Sequence, residues 1–446
     1  MNTLNIHIPN KILFVLDRLN EAGYEAFIVG GCVRDSILGK TPHDWDIATS
    51  ATPEEIQEVF SGYRQTDAGL KHGTVGIVID KELIEITTYR IESKYSDGRR
   101  PDKVHFASNI LDDLARRDFS VNACAMTKTE IIDPFDGRKD IKNRLIRCVG
   151  NPIDRFTEDA LRILRGIRFA SVLGFKVEQK TKQGMFACKH LLKNISQERI
   201  TDEFCGTLLG MKVYDTLMEF RDIAIFIIPE LKDMIGFEQH NKHHKYDVYQ
   251  HTLKSVELID SDIILRAAMF FHDIGKPKTF SLDINKVGHF YGHAQLSSQI
   301  TRKILKRMRF SNKDIHDISQ LIKYHDRKIL LTSKSIKRLL NDLGEIQFRR
   351  LIKVKRADAM SKSPSFLKDK LDHLDAVEEI LDQIIAKGAC VSLGDLAVNG
   401  HDLIELGIPE GKKIGTVLNR LLELVLNDEI ENNRKALIEK AESFLE

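Results

Sequence analysis

Two carboxylates and a glycine pair near the start of the chain have the spacing of a site that handles phosphates. Gly30 and Gly31 can form a turn that approaches a ligand closely, because glycine has no Cβ and adopts positive φ. Asp44 and Asp46 stand two positions apart, so on a strand both side chains project to the same side. Paired oxygen ligands suit Mg²⁺ that bridges to substrate phosphates. Together with Arg34, these residues predict the front end of a nucleotidyl-transfer site.

A third carboxylate is needed if two metal ions are to assist the attack of a hydroxyl on an α-phosphate. Glu85 is the best candidate, since its strand is expected to lie beside the strand of Asp44 and Asp46. An Asp-x-Asp pair taken alone is more typical of a turn or a helix cap. The glycine turn upstream favours the metal-binding interpretation.

A second motif, Arg116-Arg117-Asp118 followed by Asn122, combines cations, a carboxylate and an amide. Arginine side chains suit triphosphate oxygens because their donors form a planar fork. Asp118 could accept hydrogen bonds from ribose hydroxyls. Taken alone the motif could be a surface ion pair, but behind the glycine turn it predicts the wall of a nucleotide pocket.

A third motif contains Asp159 and Arg162, which lie one turn apart on the expected helix. The carboxylate only accepts hydrogen bonds and the guanidinium only donates them. Cytosine and adenine each present an amino donor beside a ring acceptor and match this pair, whereas guanine and uracil do not. Arg165 and Arg168 add positive charge for the nucleotide, and Gly166 leaves room for a stacked base. The alternative is a helix salt bridge worth about 0.3 kcal/mol.

A separate set of imidazole and carboxylate side chains lies in the second half of the chain. Ligands of this type suit a transition metal or Mg²⁺, either of which can activate water. The candidate ligands are His251, His272, Asp273 and Asp358. His293 and His325 lie between them in sequence and could serve a second metal or a phosphate. A lone histidine is more often structural, but the His-Asp dipeptide with further ligands around it favours a metal site.

Composition excludes several classes of protein. The 446 residues are too many for one compact core, so roughly two to four domains are expected. No window approaches the ~18 consecutive apolar residues of a membrane span. Six scattered cysteines and an N-terminus without a secretory signal indicate a cytoplasmic protein with reduced thiols. Although the net charge is only +2, Lys and Arg form local clusters, which could bind an anionic polymer or could simply be solvated helix faces. No protein partner is evident from the sequence.

The elements that must position these residues fall into an α+β head and a helical remainder. Periodicity predicts helices and strands in alternation over the head, with helices at 12–19 and 53–60 and strands at 26–29, 45–48, 73–79 and 83–89. After the turn cluster at 134–138 the strand signals stop. The expected domains are a head at 1–150, a helical neck that selects the base at 151–235, a helical metal region at 236–365 and a helical tail at 366–446.

The tail contains a candidate contact for a phosphate backbone. The segment 395–403 leads into 407–415, and the pattern predicts two helices joined by a glycine-containing turn with lysines beside it. Such a turn could present amides and cations to phosphates. A helix hairpin that merely closes the body is an equal alternative.

In this order, the three motifs of the head and neck resemble those of the class II tRNA nucleotidyltransferases, the CCA-adding enzymes. The motifs are Gly-Gly-x-Val-Arg-Asp with Asp-x-Asp, Arg-Arg-Asp-Phe-x-x-Asn-Ala, and Glu-Asp-x-x-Arg. The resemblance implies a polymerase-β-like head with a mixed sheet, followed by neck, body and tail. It implies Asp44 and Asp46 as Mg²⁺ ligands, and Asp159 and Arg162 as readers of the incoming base. CMP and AMP from CTP and ATP would join the tRNA 3′ end, with release of pyrophosphate.

Related enzymes remain as alternatives. Bacterial poly(A) polymerases share the head, but they carry a basic-aromatic element that is not found at 168–171. Enzymes that add only CC lack a flexible loop, whereas residues 89–102 resemble that loop in intact form. Addition of A alone stays open.

The histidine-rich region resembles the HD superfamily of metal-dependent phosphohydrolases. The resemblance implies that His251, His272, Asp273 and Asp358 bind Ni, Mn or Co. It also implies hydrolysis of phosphomonoesters or 2′,3′-cyclic phosphates. The rival function is therefore an HD phosphohydrolase whose head merely docks RNA.

Overall fold

The computed structural model describes residues 6–42, 44–66, 69–70, 73–92, 104–107, 109–240, 246–362 and 367–444. The chain divides into two compact units, 1–229 and 230–446. Within the described ranges, no helix combines the length and the apolar character that crossing a membrane requires. The division of the chain into four domains stays a prediction.

The first unit is built on a mixed seven-stranded sheet, as predicted for the head. Its strands follow the order β3-β4-β5-β2-β1-β8-β9. They are β1 (Ala26–Val29), β2 (Asp46–Thr49), β3 (Arg64–Thr66), β4 (Thr74–Ile79), β5 (Glu82–Thr88), β8 (Ala125–Met126) and β9 (Ile131–Ile132), while β6 (Arg90–Glu92) and β7 (Val104–Phe106) form a separate antiparallel pair. Only β2 and β5 pair in parallel among the neighbours of the described sheet.

Five helices accompany this sheet. They are α1 (Asn10–Glu21), α2 (Gly31–Ile37), α3 (Pro53–Val59), α4 (Ile110–Ala115) and α5 (Gly137–Asn143). Helix α1 buries Ile12, Val15, Leu16 and Leu19 against the sheet core, which is the apolar stripe that predicted it. Helix α3 begins at a capping box between Thr52 and Glu55.

Six further helices complete the first unit, and two short strands depart from the helical pattern. The helices are α6 (Pro152–Glu158), α7 (Leu161–Leu173), α8 (Gln179–Cys188), α9 (Gln197–Leu208), α10 (Val213–Glu219) and α11 (Arg221–Ile227). The prediction that strands stop after the turn cluster is wrong here, because β10 (Leu145–Ile146) pairs in parallel with β11 (Lys176–Val177). These strands hold only two residues each, which is too short for a periodic signal.

The space beside Gly166 is filled by protein rather than left for a base. A Cβ at this position would lie 2.3 Å from Met185 Cε and 2.8 Å from Phe119 Cζ. The glycine therefore permits close packing of α7 in the hydrophobic core of the neck. The expectation of a base stacked at Gly166 is wrong for this reason.

The second unit is largely helical. Its helices are α12 (Val248–Leu258), α13 (Ile263–Phe271), α14 (Lys276–Thr279), α15 (His293–Arg307), α16 (Asn312–Tyr324), α17 (Ser333–Met360), α18 (Leu367–Ala386), α19 (Gly400–Glu405), α20 (Lys412–Leu426) and α21 (Arg434–Glu442). Helix α17 is interrupted at Gly344, where φ is 73°. Helix α13 is buried all round and packs against α12, α16 and α17, so its C-terminal end lies inside the unit.

A small hairpin also interrupts the helices of this unit, contrary to the prediction of an all-helical remainder. Strands β12 (Ser281–Leu282) and β13 (Gly288–His289) pair in antiparallel fashion. Asp283 closes the turn, because its Oδ1 accepts hydrogen bonds from the amides of Asn285 and Val287.

The tail forms the expected helix hairpin. Gly407 and Gly411 lie between α19 and α20 with φ of 89° and 112°, a region that favours glycine. Leu403, Leu421 and Leu437 close a small core with α21. Binding of a phosphate backbone at this turn stays a prediction.

Candidate functional site

Gly30 brings the first glycine turn against the candidate catalytic groups. Strand β1 ends at Val29, and Gly30 follows with φ of 84° at the start of α2. A Cβ at Gly30 would lie 3.1 Å from Arg117 Nη1 and 3.5 Å from Asp46 Oδ2. Both the positive φ and the close approach therefore require glycine at this position.

The three candidate catalytic carboxylates come together at one edge of the sheet. In the parallel pairing of β2 with β5, Ile47 lies opposite Ile86, which sets Asp46 and Glu85 side by side. Asp44 precedes the strand, and all three acidic residues line a cleft of about 390 Å³. The structure thus brings Glu85 to the pair as the sequence predicts.

The electrostatics of this cleft favour a bound cation. Burial raises the pKa of Asp46, and the negative charges of Glu85 and Asp44 raise it further, while Arg117 opposes the shift. A divalent cation would relieve the repulsion between these carboxylates, and their oxygens are the ligands that Mg²⁺ prefers. The donor set therefore fits a divalent metal.

A buried carboxylate, which the sequence analysis missed, holds the arginine wall. Asp113 on α4 binds Arg116 at 2.7 Å and Arg117 at 3.0 Å. Burial alone would raise the pKa of Asp113, but the two guanidinium groups hold it below its ordinary value. Asp113 precedes Arg116 and Arg117 by three and four residues, and this spacing is the sequence signal that could have revealed the ion pairs.

Asp118 has a protein partner of its own. Its Oδ2 accepts a hydrogen bond from Arg165 Nε at 2.7 Å, and its Oδ1 accepts one from the amide of Phe119. Burial would raise the pKa of Asp118, yet Arg165 holds that pKa below the ordinary value. The carboxylate therefore links α7 to the second motif, and its proposed contact with ribose stays a prediction.

The ring of Phe169 gathers three of the predicted nucleotide-binding arginines. The guanidinium carbons of Arg34, Arg165 and Arg168 lie 5.5, 5.4 and 4.8 Å from its centre. Cations are attracted to an aromatic face at such distances. This role of Phe169 was not predicted from the sequence.

The remaining partners of these arginines are polar. Arg34 Nη1 donates to Asn122 Oδ1 at 2.6 Å, which joins the first motif to the second. Arg168 Nε donates to Glu203 on α9 at 2.6 Å. The predicted residues of the head and neck thus form a connected set.

Asp159 does not lie on a helix with Arg162, contrary to the prediction. Helix α6 ends at Glu158 and α7 begins at Leu161, and Asp159 has an extended backbone with φ of −140°. Its Oδ1 accepts a hydrogen bond from the amide of Leu161, as in a cap. The break arises because this local bond competes with the helical one.

The two candidate base readers are instead held by separate partners. Arg199 on α9 donates to Asp159 Oδ2 at 2.9 Å. Arg162 Nη1 donates to Glu158 at 2.8 Å, and its Nη2 donates to the carbonyl of Arg116 at 3.1 Å. The sequence analysis missed Arg199, because only the packing of α9 on α7 brings this distant residue to the site.

In the second unit, four histidines turn the same ring nitrogen, Nε2, toward the buried carboxylate of Asp273. The Nδ1 atoms of His272, His293 and His325 lie 2.6, 2.8 and 2.7 Å from backbone carbonyls, and that of His251 lies 3.1 Å from Ser361 Oγ. A carbonyl can only accept, so Nδ1 of His272, His293 and His325 carries the proton and the lone pair of their Nε2 is left for a metal.

Two carboxylates face these Nε2 atoms. Asp273 Oδ2 lies 3.1 Å from His272 Nε2 and 3.4 Å from His251 Nε2, and Asp358 Oδ1 lies 3.2 Å from the latter. The structure therefore brings together all four ligands predicted for this site.

The other oxygen of Asp273 faces a second group of ligands. Asp273 Oδ1 lies 3.5 Å from His293 Nε2 and 3.8 Å from His325 Nε2. The His272 Nε2 atom is buried and makes no hydrogen bond of proper geometry among the described residues. One carboxylate between two sets of nitrogen donors fits a pair of metal ions.

The predicted flexible loop at 89–102 extends beyond the described residues at 93–102. Its role in distinguishing full from partial addition stays a prediction.

Three segments of the chain match family models of known proteins. Residues 26–147 match the family model described as the poly A polymerase head domain. Residues 174–235 match the probable RNA and SrmB-binding site of polymerase A, and 288–441 match the putative tRNA nucleotidyltransferase domain 2.

Similarity to individual proteins extends over nearly the whole chain. The CCA-adding enzyme of Ligilactobacillus salivarius is 36% identical over 448 residues, covering 98% of this chain and 96% of that protein. The crystal structure of the Bacillus stearothermophilus CCA-adding enzyme in complex with CTP has a TM-score of 0.75 at 28% identity. The match covers 98% of this chain and 97% of that chain. The chain therefore belongs to the family of CCA-adding enzymes.

Proposed function

We propose that Asp44, Asp46 and Glu85 are the catalytic carboxylates of this tRNA nucleotidyltransferase. As a CCA-adding enzyme, the chain builds or repairs the tRNA 3′ terminus with CMP and AMP from CTP and ATP. The observation that supports the catalytic role is the convergence of the three carboxylates beside Arg117 in one cleft. Its relatives are CCA-adding enzymes, which favours full CCA addition over addition of A alone.

The reaction needs no covalent bond to the protein. The 3′-hydroxyl oxygen of the tRNA forms a bond to the α-phosphorus of CTP or ATP and loses its proton. The bond from that phosphorus to the bridging oxygen breaks, and pyrophosphate leaves. The family implies a divalent metal, for which we propose Mg²⁺ held by Asp44 and Asp46; when bound it neutralises phosphate charge and lowers the pKa of the hydroxyl.

The nucleotide would lie between the glycine turn and the arginines. Gly30 and Gly31 allow its phosphates to approach the backbone, and Arg116 and Arg117 supply positive charge on the same side. Arg34 and Asn122 join the turn to this wall through their mutual hydrogen bond. Arg165 and Arg168 extend the positive charge toward the neck.

Base selection is proposed to rest on Asp159 and Arg162 rather than on a nucleic-acid template. The support is that each side chain is fixed by a different ionic partner, Arg199 or Glu158, so donor and acceptor stay in defined positions. A fixed acceptor and donor pair rejects guanine and uracil because unmatched polar groups lose their hydrogen bonds.

Removal of the metal-binding carboxylates tests the catalytic proposal. Asp44→Ala and Asp46→Ala should each lower the incorporation of labelled CMP by at least about 1,000-fold. Each substitution removes a ligand of the ion that activates the hydroxyl. Incorporation is measured on tRNA that lacks CCA, with Glu82→Ala, on the same cleft but outside the carboxylate trio, as the matched control. Undiminished incorporation in both variants would refute the assignment.

Substitution of the base readers tests the selection. Arg162→Ala should lower the preference for CTP and ATP over UTP and GTP by at least about tenfold, and Arg199→Ala should act in the same direction by releasing Asp159. Ratios of kcat/KM for the four nucleotides measure the effect, with the exposed Arg221→Ala as the control. Unchanged ratios for Arg162→Ala would contradict the protein-template proposal.

A second activity is favoured by the buried histidine and aspartate cluster. We propose that His251, His272, Asp273 and Asp358 hold one transition-metal ion (Ni, Mn or Co), and that His293 and His325 hold a second beside Asp273. Bound metal would supply an activated water. In phosphoester hydrolysis the water would lose a proton as its oxygen forms the new bond to phosphorus, the bond from phosphorus to the ester oxygen would break, and that oxygen would take up a proton in turn.

Metal analysis tests this second proposal. The purified protein loaded with Mn²⁺ should retain about two ions per chain after desalting, His293→Ala should retain about one, and the exposed His190→Ala should retain both. His272→Ala should lose hydrolysis of 2′,3′-cyclic AMP while CMP incorporation into tRNA stays unchanged. Equal metal content in all variants would show that the cluster is structural.

A further inference from the structure

We propose that Tyr291 is a stacking platform for a nucleobase beside the metal centre. The substrates of the proposed hydrolase are then nucleotides or RNA ends that carry a terminal or cyclic phosphate. This inference rests on the proposed second activity and names its substrate class.

The first observation is the exposure of an ordered aromatic ring. Tyr291 follows the β12–β13 hairpin and is 77% exposed. The ring of His289 lies parallel and offset beside it, with the ring centres 5.3 Å apart at an interplanar angle of 5°, and the Tyr291 hydroxyl lies 3.4 Å from His289 Nδ1. The exposed ring of Tyr291 therefore offers a face to a planar ligand.

The second observation is that the supporting ring is itself fixed. His289 Nε2 lies 3.1 Å from Asp283 Oδ2, and the other oxygen of Asp283 accepts the amides of Asn285 and Val287. The platform is therefore organised before a ligand arrives, which reduces the ordering cost of binding.

The third observation is that Tyr291 lies close in the chain to a candidate metal ligand. Only Gly292 separates Tyr291 from His293, and two residues of chain span at most about 7 Å. The carbonyl of Phe290 accepts from His293 Nδ1, and the Phe290 ring lies 5.2 Å from Lys276 Nζ. Lys276 in turn binds Asp273 at 2.7 Å. A base on Tyr291 would thus be held by a segment that lies within two residues of a candidate metal ligand.

A nucleobase suits this surface better than other ligands. Every base has a π-face, and stacking on an aromatic side chain is the common way to hold one without reading its sequence. Nucleotides and RNA 3′ ends are also the substrates of the chain's nucleotidyl-transfer activity. The exposed Leu282 and Ile284 on the same hairpin have no ring, so they provide matched controls.

The first experiment compares two substrates of the Mn²⁺-loaded protein, 2′,3′-cyclic AMP and glycerol 2-phosphate. Tyr291→Ala should raise KM for the cyclic nucleotide about tenfold and leave kcat, and all constants for glycerol 2-phosphate, unchanged. Tyr291→Phe should restore the wild-type KM, and Ile284→Ala should have no effect. Equal changes for both substrates, or none, would overturn the platform.

The second experiment does not depend on hydrolysis. Irradiation of the wild-type protein with 4-thiouridine 3′-monophosphate should attach the base to the peptide that contains Tyr291, as located by mass spectrometry. Unlabelled 3′-UMP should compete, and Tyr291→Ala should remove this cross-link. If a cross-link forms while hydrolysis is absent, the platform stands and the hydrolase proposal fails. Absence of the cross-link, or its persistence in Tyr291→Ala, would contradict the platform.

Discussion

The parallel pairing of β2 with β5 is the constraint on which the catalytic end depends. It is the one parallel neighbour contact in the described seven-stranded sheet, and it sets Asp46 beside Glu85. Burial, with a further contribution from the negative charges of Glu85 and Asp44, raises the pKa of Asp46. The sheet core tolerates this cost because a cation and the nearby Arg117 can offset it. Gly30 completes the arrangement by letting Arg117 and Asp46 approach its backbone.

Both units hold their polar groups through defined partners rather than through burial alone. In the first unit, Asp118 binds Arg165 of α7, Arg168 of α7 binds Glu203 of α9, and Arg199 of α9 binds Asp159. In the second unit, backbone carbonyls fix the imidazole rings so that Nε2 faces the centre. Such partners orient functional groups before a substrate or metal binds, which lowers the cost of reorganisation.

The elements whose signals lie within one short segment could be predicted from the sequence. The strand at 26–29 and the helix at 53–60 agree with the structure to within one residue, because apolar periodicity and capping residues lie within those segments. Glu85 could be chosen as the third carboxylate because its strand was expected to lie beside the strand of Asp44 and Asp46. Asp159 could not be placed, because its local bond to Leu161 and its long-range bond to Arg199 override the helical pattern. The role of Gly166 likewise depends on Met185, which only tertiary packing brings near.

The most direct test of whether this protein alone adds C, C and A is to sequence the product made from a tRNA that lacks CCA. The protein is incubated with Mg²⁺ and equal amounts of all four nucleoside triphosphates, without any other enzyme. We predict that nearly every extended tRNA ends in C-C-A, because one protein site selects first C and then A. Extension only of tRNA that already ends in C-C, or ends of mixed sequence, would contradict it.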